Sequence, residues 1–100
     1  MRAAKIDANQ NEIVDALRKM GCSVQILSNV GKGCTDLAIG FNGLTLMMEI
    51  KDGNKVKSAQ KLTPDQVVWH DEWRGSKVVV NSIENAIQAV KDHKIKWGAL

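Results

Sequence analysis

Residues 36–51 read DLAIGFNGLTLMMEIK, two apolar-rich runs on either side of Asn42-Gly43. That dipeptide is the strongest short signal for a two-residue type I′ hairpin, because both central positions of the turn require φ > 0. In such a hairpin Phe41 faces Leu44, and counting outward Asp36 faces Glu49. Side chains alternate across a strand, so Leu37, Ile39, Phe41, Leu44, Leu46, Met48 and Ile50 share one wholly apolar face, which must be core. The other face carries Asp36, Ala38, Gly40, Thr45, Met47, Glu49 and Lys51.

Two carboxylates placed across a ladder, with Cβ atoms roughly 5 Å apart, repel each other unless something cationic lies between them. A divalent ion is the natural candidate, since Mg²⁺ takes one or two carboxylates, keeps several waters and accepts phosphate oxygens. Lys51 projects from the same face as Glu49. An ammonium there can stabilise charge developing on an attacking water or on a phosphate. The plainer alternative is that Asp36 and Glu49 only cap strand ends, with Lys51 pairing one of them. The hairpin register argues against it, because it gathers all three side chains at one end of one face.

One hundred residues make a single domain over 1–100, so a large substrate must be gripped by this domain's own surface or by a second copy of it. The formal charge of +3 is too small an excess to indicate nucleic-acid binding alone. Its distribution says more: Lys51, Lys55, Lys57 and Lys61 crowd the segment after the hairpin, with Asp52 opposing them. Attached to the carboxylate cluster, that segment reads as a phosphate-contacting loop, although a solvated charged loop has the same composition. Cys22 and Cys34 lack zinc spacing, no signal peptide is recognisable, and no apolar run nears the ~20 residues that cross a bilayer. The chain therefore reads as cytoplasmic, with reduced thiols and no membrane partner.

Upstream, Asp7 and Gln10 suit an N-cap and its N3 partner for a helix over 8–20 that ends at Gly21, with Ile13, Leu17 and Met20 in its buried stripe. Glu12 borders that stripe. If this helix packs across Ala38 and Gly40, Glu12 reaches the Asp36–Glu49 pair; otherwise it is a solvated rim residue. Residues 22–27 read as a strand, and 28–35 as a glycine-rich loop presenting Lys32. The loop lacks the length and terminal Lys-Ser/Thr of a P-loop, and a strand follows it, so a nucleotide cofactor is rejected.

Downstream, Thr63-Pro64-Asp65-Gln66 combines a cap, proline at the first helical position and a capping-box partner, and the helix should stop near Gly75. His70 shares a face with Gln66. Val78-Val79-Val80 reads as a strand buried on both faces. Ser82 caps a last helix over 83–93, followed by a tail that holds Trp97. The order is αβββαβα, an α/β fold with a mixed central sheet flanked by helices.

A helix bearing Glu12, a glycine-rich loop, Thr35-Asp36, Glu49-Ile50-Lys51 and a helix opening with Gln66 resemble the PD-(D/E)xK nuclease superfamily. Gly31-Lys32-Gly33-Cys34-Thr35-Asp36-Leu37 and Leu62-Thr63-Pro64-Asp65-Gln66 through His70 are similar to its VRR-NUC, or virus-type replication-repair nuclease, domains. The likeness covers about residues 7–90, and in layout it extends to compact bacteriophage-encoded forms and Holliday-junction resolvases. Thr35 stands where the family favours proline, and His70 follows Gln66 where RecB-like relatives often carry a tyrosine.

The resemblance implies a restriction-endonuclease-like αβββαβ core and a Mg²⁺-dependent deoxyribonuclease, with Mn²⁺ able to substitute. Asp36, Glu49 and the Ile50 carbonyl would be metal ligands, with Glu12 an additional acid. Lys51 would be the catalytic lysine and Gln66 an organising polar residue. Lys32, Lys55, Lys57 and Lys61 would contact DNA. The implied substrate is branched DNA, foremost a four-way junction cut by a homodimer, with flap or end processing by a monomer as the alternative. A phage-encoded protein of this kind would work in the bacterial host's cytoplasm.

Overall fold

A computed structural model describes residues 7–98. The expected turn is present, with Asn42 at φ 49° and Gly43 at φ 75°. It joins β2 (Leu37–Phe41) to β3 (Leu44–Ile50) in antiparallel register, Phe41 opposite Leu44 and Leu37 opposite Met48. Continuing that register by one step sets Asp36 against Glu49. β1 (Ser23–Ile26) pairs antiparallel on the outer side of β2, and β4 (Lys77–Val80) pairs parallel with β3, so the mixed sheet runs β1-β2-β3-β4.

The apolar hairpin face forms the core. Leu37, Ile39, Met48 and Ile50 are fully buried there against Ile13, Val14 and Leu17 of α1 (Gln10–Lys19) and Ala86 and Val90 of α3 (Ile83–Gly98). Each large aliphatic side chain so buried contributes about 1.5–3 kcal/mol. Among the described residues no helix is long and apolar enough to cross a membrane.

The remaining helix, α2 (Pro64–Glu72), forms the crossover between β3 and β4 and lies on the opposite face, where Gln66 bonds Glu49 and Lys51. The full capping box forms: Gln66 N–H donates to Thr63 Oγ1, and Thr63 N–H donates to Gln66 Oε1. Ser82 also caps as expected, its Oγ accepting from Asn85 N–H at 3.0 Å.

Five expectations need correction. Met20, expected in the buried stripe, is the C-cap of α1 and is 41 % exposed. Asn9, not Asp7, occupies the N-cap of α1, and it makes no capping bond because its amide instead donates to the carbonyls of Lys51 and Asn81. α1 packs on the apolar face, not across Ala38 and Gly40. Val79 is 40 % exposed, so β4 is not buried on both sides; its second face looks toward α2, which is nine residues long and buries none of its own side chains. The last helix runs on to Gly98, since Lys91 to Trp97 contains no breaker and lysine is a good helix former. The short basic lead-in that the sequence of residues 1–6 suggests lies outside the described residues.

Candidate active site at the open end of the hairpin

Three features of the fold bring Asp36, Glu49, Lys51 and Gln66 together. The hairpin register opposes the two acids, the strand period puts Lys51 beside Glu49, and the capping box fixes the first turn of α2 above them. Asp36 is half-buried, and its Oδ2 accepts the Ile50 N–H at 2.8 Å. Glu49 is only 2 % exposed and Lys51 9 %.

One amide links them. Gln66 Oε1 accepts from Lys51 Nζ at 2.7 Å and from the Thr63 N–H at 2.9 Å, while its Nε2 donates to Glu49 Oε2 at 3.2 Å. Because two donors converge on Oε1, the amide can take only one orientation, with its NH₂ toward the carboxylate. The residue that caps α2 is thereby also the residue that aims the lysine. Gly33 brings the glycine-rich loop against the same turn: a Cβ there would fall 2.2 Å from the Asp65 carbonyl oxygen, and φ is +80°. No side chain fits at this contact.

The electrostatics are strained in the direction that favours a cation. Glu49 is pushed up to about 9, first by burial, then by the adjoining Asp36 carboxylate, with a smaller contribution from Asp7; Lys51 pulls it down only in part. Glu49 Oε1 is buried without a hydrogen-bond partner. At neutral pH the pair therefore holds a proton in the place where a divalent ion would otherwise balance the charge. An orphaned carboxylate oxygen beside a second carboxylate is a hard, oxygen-only donor set, which suits Mg²⁺ or Mn²⁺ completed by water.

Glu12 does not join this set. It is exposed and lines a separate hollow with Asp52, Asn54 and Asn81, because α1 packs on the other face of the sheet. Among the described residues no group of three or more His, Cys, Asp or Glu side chains is arranged to hold a metal, so the site offers two carboxylates, with the Ile50 main chain between Glu49 and Lys51. The acid from the N-terminal region that does act on Glu49 is Asp7. Its position just before the helix was legible, but there it suggested a cap.

Lys32, at φ 52°, and Lys55, Lys57 and Lys61 are all exposed, Lys57 opening a 3₁₀ turn (Lys57–Gln60). The basic loop is tethered, with Gly53 N–H donating to the Asn81 carbonyl and Asn81 Nδ2 to Gln60 Oε1. His70 faces the sheet with Nε2 buried and unpartnered, and burial together with Lys77 and Lys51 holds it below the usual histidine range, hence neutral. Burial pushes the Cys34 thiol up, with Glu49 and Asp36 adding to the rise against the hydrogen bonding of Thr35; it is a poor nucleophile. Compared with protein-family models, curated proteins and solved structures, the chain finds no match.

Proposed function

We propose that this protein is a metal-dependent, structure-selective DNA endonuclease with the layout of the PD-(D/E)xK superfamily. The observation that carries the reading is the Gln66 amide joining the Lys51 ammonium to Glu49, on the strand end where Asp36 opposes Glu49. Strand-end caps have no need of a buried lysine beside a buried glutamate, both held by one glutamine amide, and desolvating the two charges is costly unless they are used.

Asp36 and Glu49, with the Ile50 carbonyl, would hold Mg²⁺, which when bound supplies Lewis-acid charge to the phosphate and lowers the cost of deprotonating water. Lys51 directs its ammonium to the developing negative charge, and Gln66 keeps that Nζ from swinging to solvent. Lys32, Lys55, Lys57 and Lys61 hold flanking phosphates. Such contacts carry no base information, so selectivity is for DNA shape. A homodimer presenting two sites would cut a four-way junction symmetrically. The second reading, a monomer acting on flaps, draws support from an open basic groove at the other end of the sheet.

Cleavage of labelled four-way junctions, flaps and linear duplex in Mg²⁺ tests the proposal. Nicking of at least one branched substrate, at a rate well above that on linear duplex, is expected. No cleavage of any of them in Mg²⁺ or Mn²⁺ overturns it. Sedimentation with and without junction DNA separates the dimeric from the monomeric form.

A further inference from the structure

The end of the sheet remote from the acid pair carries a second concavity. An open groove of about 860 Å³ lies between α3 and the N-terminal ends of β3 and β4. Its size falls within the roughly 300–1,000 Å³ of ligand pockets. Arg74 and Lys96 line it against a single carboxylate, Asp92, whose Oδ1 already accepts from Gln88 Nε2 at 2.8 Å, while the ammonium of the neighbouring Lys77 donates to the Trp73 carbonyl. The groove is thus electropositive in a chain whose whole excess is only +3.

Its aromatic wall is Trp97, 50 % exposed, with the His93 ring 6.5 Å away and Lys96 Nζ 5.3 Å from the indole centroid. A half-exposed indole beside Arg74 and Lys96 matches the combination that single-stranded nucleic acid uses: bases stack on the ring while phosphates meet the charges. A bilayer surface also attracts lysine and tryptophan, but a flat surface cannot enter a groove. A duplex needs only the phosphate contacts and leaves the indole unused.

We propose that this groove binds an unpaired DNA strand, bases against Trp97 and phosphates against Arg74 and Lys96. The inference rests on the nuclease reading for its purpose, which is to select branched DNA with a single-stranded arm. β3 sets the spacing: Leu44 and Lys51 are seven strand steps apart, about 23 Å, equal to about 7 nucleotides at duplex rise. An arm stacked as in a duplex would span that distance in about 7 nucleotides, and a more extended one in fewer.

The test is fluorescence anisotropy of a labelled oligothymidylate of about 12 nucleotides without divalent metal, together with quenching of protein tryptophan emission. Wild type is expected to bind, with quenching. The double variant Trp97→Ala/Lys96→Ala should bind at least about tenfold more weakly, one stacked base accounting for that much. Trp97→Phe, which keeps a stacking ring, should stay within about threefold of wild type, and Lys19→Ala, which removes an exposed charge from α1, within about twofold. Matching melting curves exclude misfolding as the cause.

Equal affinity of wild type and the double variant overturns the proposal, as does binding to phosphatidylglycerol vesicles in preference to the oligonucleotide. Oligonucleotide binding through Trp97 without cleavage of any branched DNA would defeat the nuclease reading alone. Cleavage accompanied by oligonucleotide binding indifferent to Trp97 and Lys96 would defeat the groove alone.

Discussion

Lys51→Ala should lower the cleavage rate on branched DNA by at least about 10²-fold while leaving junction binding within a few-fold of wild type. The magnitude is that of removing one preorganised donor aimed at developing charge in a water-poor site. Lys51 meets both conditions, being 9 % exposed and held at 2.7 Å by Gln66. Binding survives because Lys32, Lys55, Lys57 and Lys61 remain, and each phosphate contact is a small part of the total. The fold survives as well: without Lys51, Gln66 Oε1 still accepts the Thr63 N–H, so the capping box stands. Gln66→Ala should show a smaller loss of rate, about tenfold, with a lower melting temperature, since it removes both the lysine's anchor and half of that box. Single-turnover cleavage and electrophoretic binding on the same junction separate these effects. A non-catalytic DNA-binding module predicts no difference in rate for either variant.

The second large effect is a stability that falls with rising pH in metal-free buffer and recovers with Mg²⁺. Glu49 binds its proton more tightly in the fold than in the unfolded chain, up to about 9 against an ordinary value near 4.5. The native state therefore holds more protons between those limits. Its stabilisation is complete below the lower limit and is lost as pH climbs toward the upper one. His70 acts in the opposite sense, because a histidine held low loses stability as pH falls below the usual range near 6.5.

The interval from about pH 7 to about pH 8 isolates the glutamate, above histidine titration and below that of the thiols. Across it, stability should fall by roughly 1 kcal/mol per pH unit. For a domain of this size that is about 4–8 °C in Tm. Glu49→Gln should flatten the slope, melt higher than wild type at about pH 8, and lose the stabilisation that Mg²⁺ gives wild type. Differential scanning calorimetry with and without chelator measures all three. A pH-independent Tm in wild type would show that the two acids do not share a proton.

How much of this was visible in the residues follows a physical line. The hairpin register was fixed by one dipeptide with a unique backbone requirement, and the alternation on either side of Asn42-Gly43 gave both the core face and the meeting of Asp36 with Glu49. Thr63-Pro64-Asp65-Gln66 was equally explicit, since each residue in it answers a distinct need of a helix start. What sequence could not convey was where elements come to rest on the sheet. The stretch Asp7-Ala8-Asn9-Gln10 offers two capping residues, Asp7 and Asn9, and tertiary bonds from Asn9 to the Lys51 and Asn81 carbonyls decided which would stand at the cap.

The same docking separates Glu12 from the site and leaves Asp7 as the acid that acts on Glu49. Val79 looked buried because three valines in a row fit a two-sided strand, yet a nine-residue α2 leaves it 40 % exposed. The groove beside Trp97 had no sequence signature at all. Its residues come from the start of β3, the turn before β4, the start of β4 and the length of α3, and only the parallel pairing of β3 with β4 brings them together.

The central claim is that Asp36 and Glu49 form one cation site. Isothermal titration of the apo protein with Mn²⁺ at about pH 7, repeated in buffers of different ionisation enthalpy, measures the ion and the proton it displaces in a single experiment. Saturable binding with close to one proton released per protein is expected, lost in both Asp36→Asn and Glu49→Gln. Binding with no proton release, or binding unchanged when either carboxylate is removed, would contradict it.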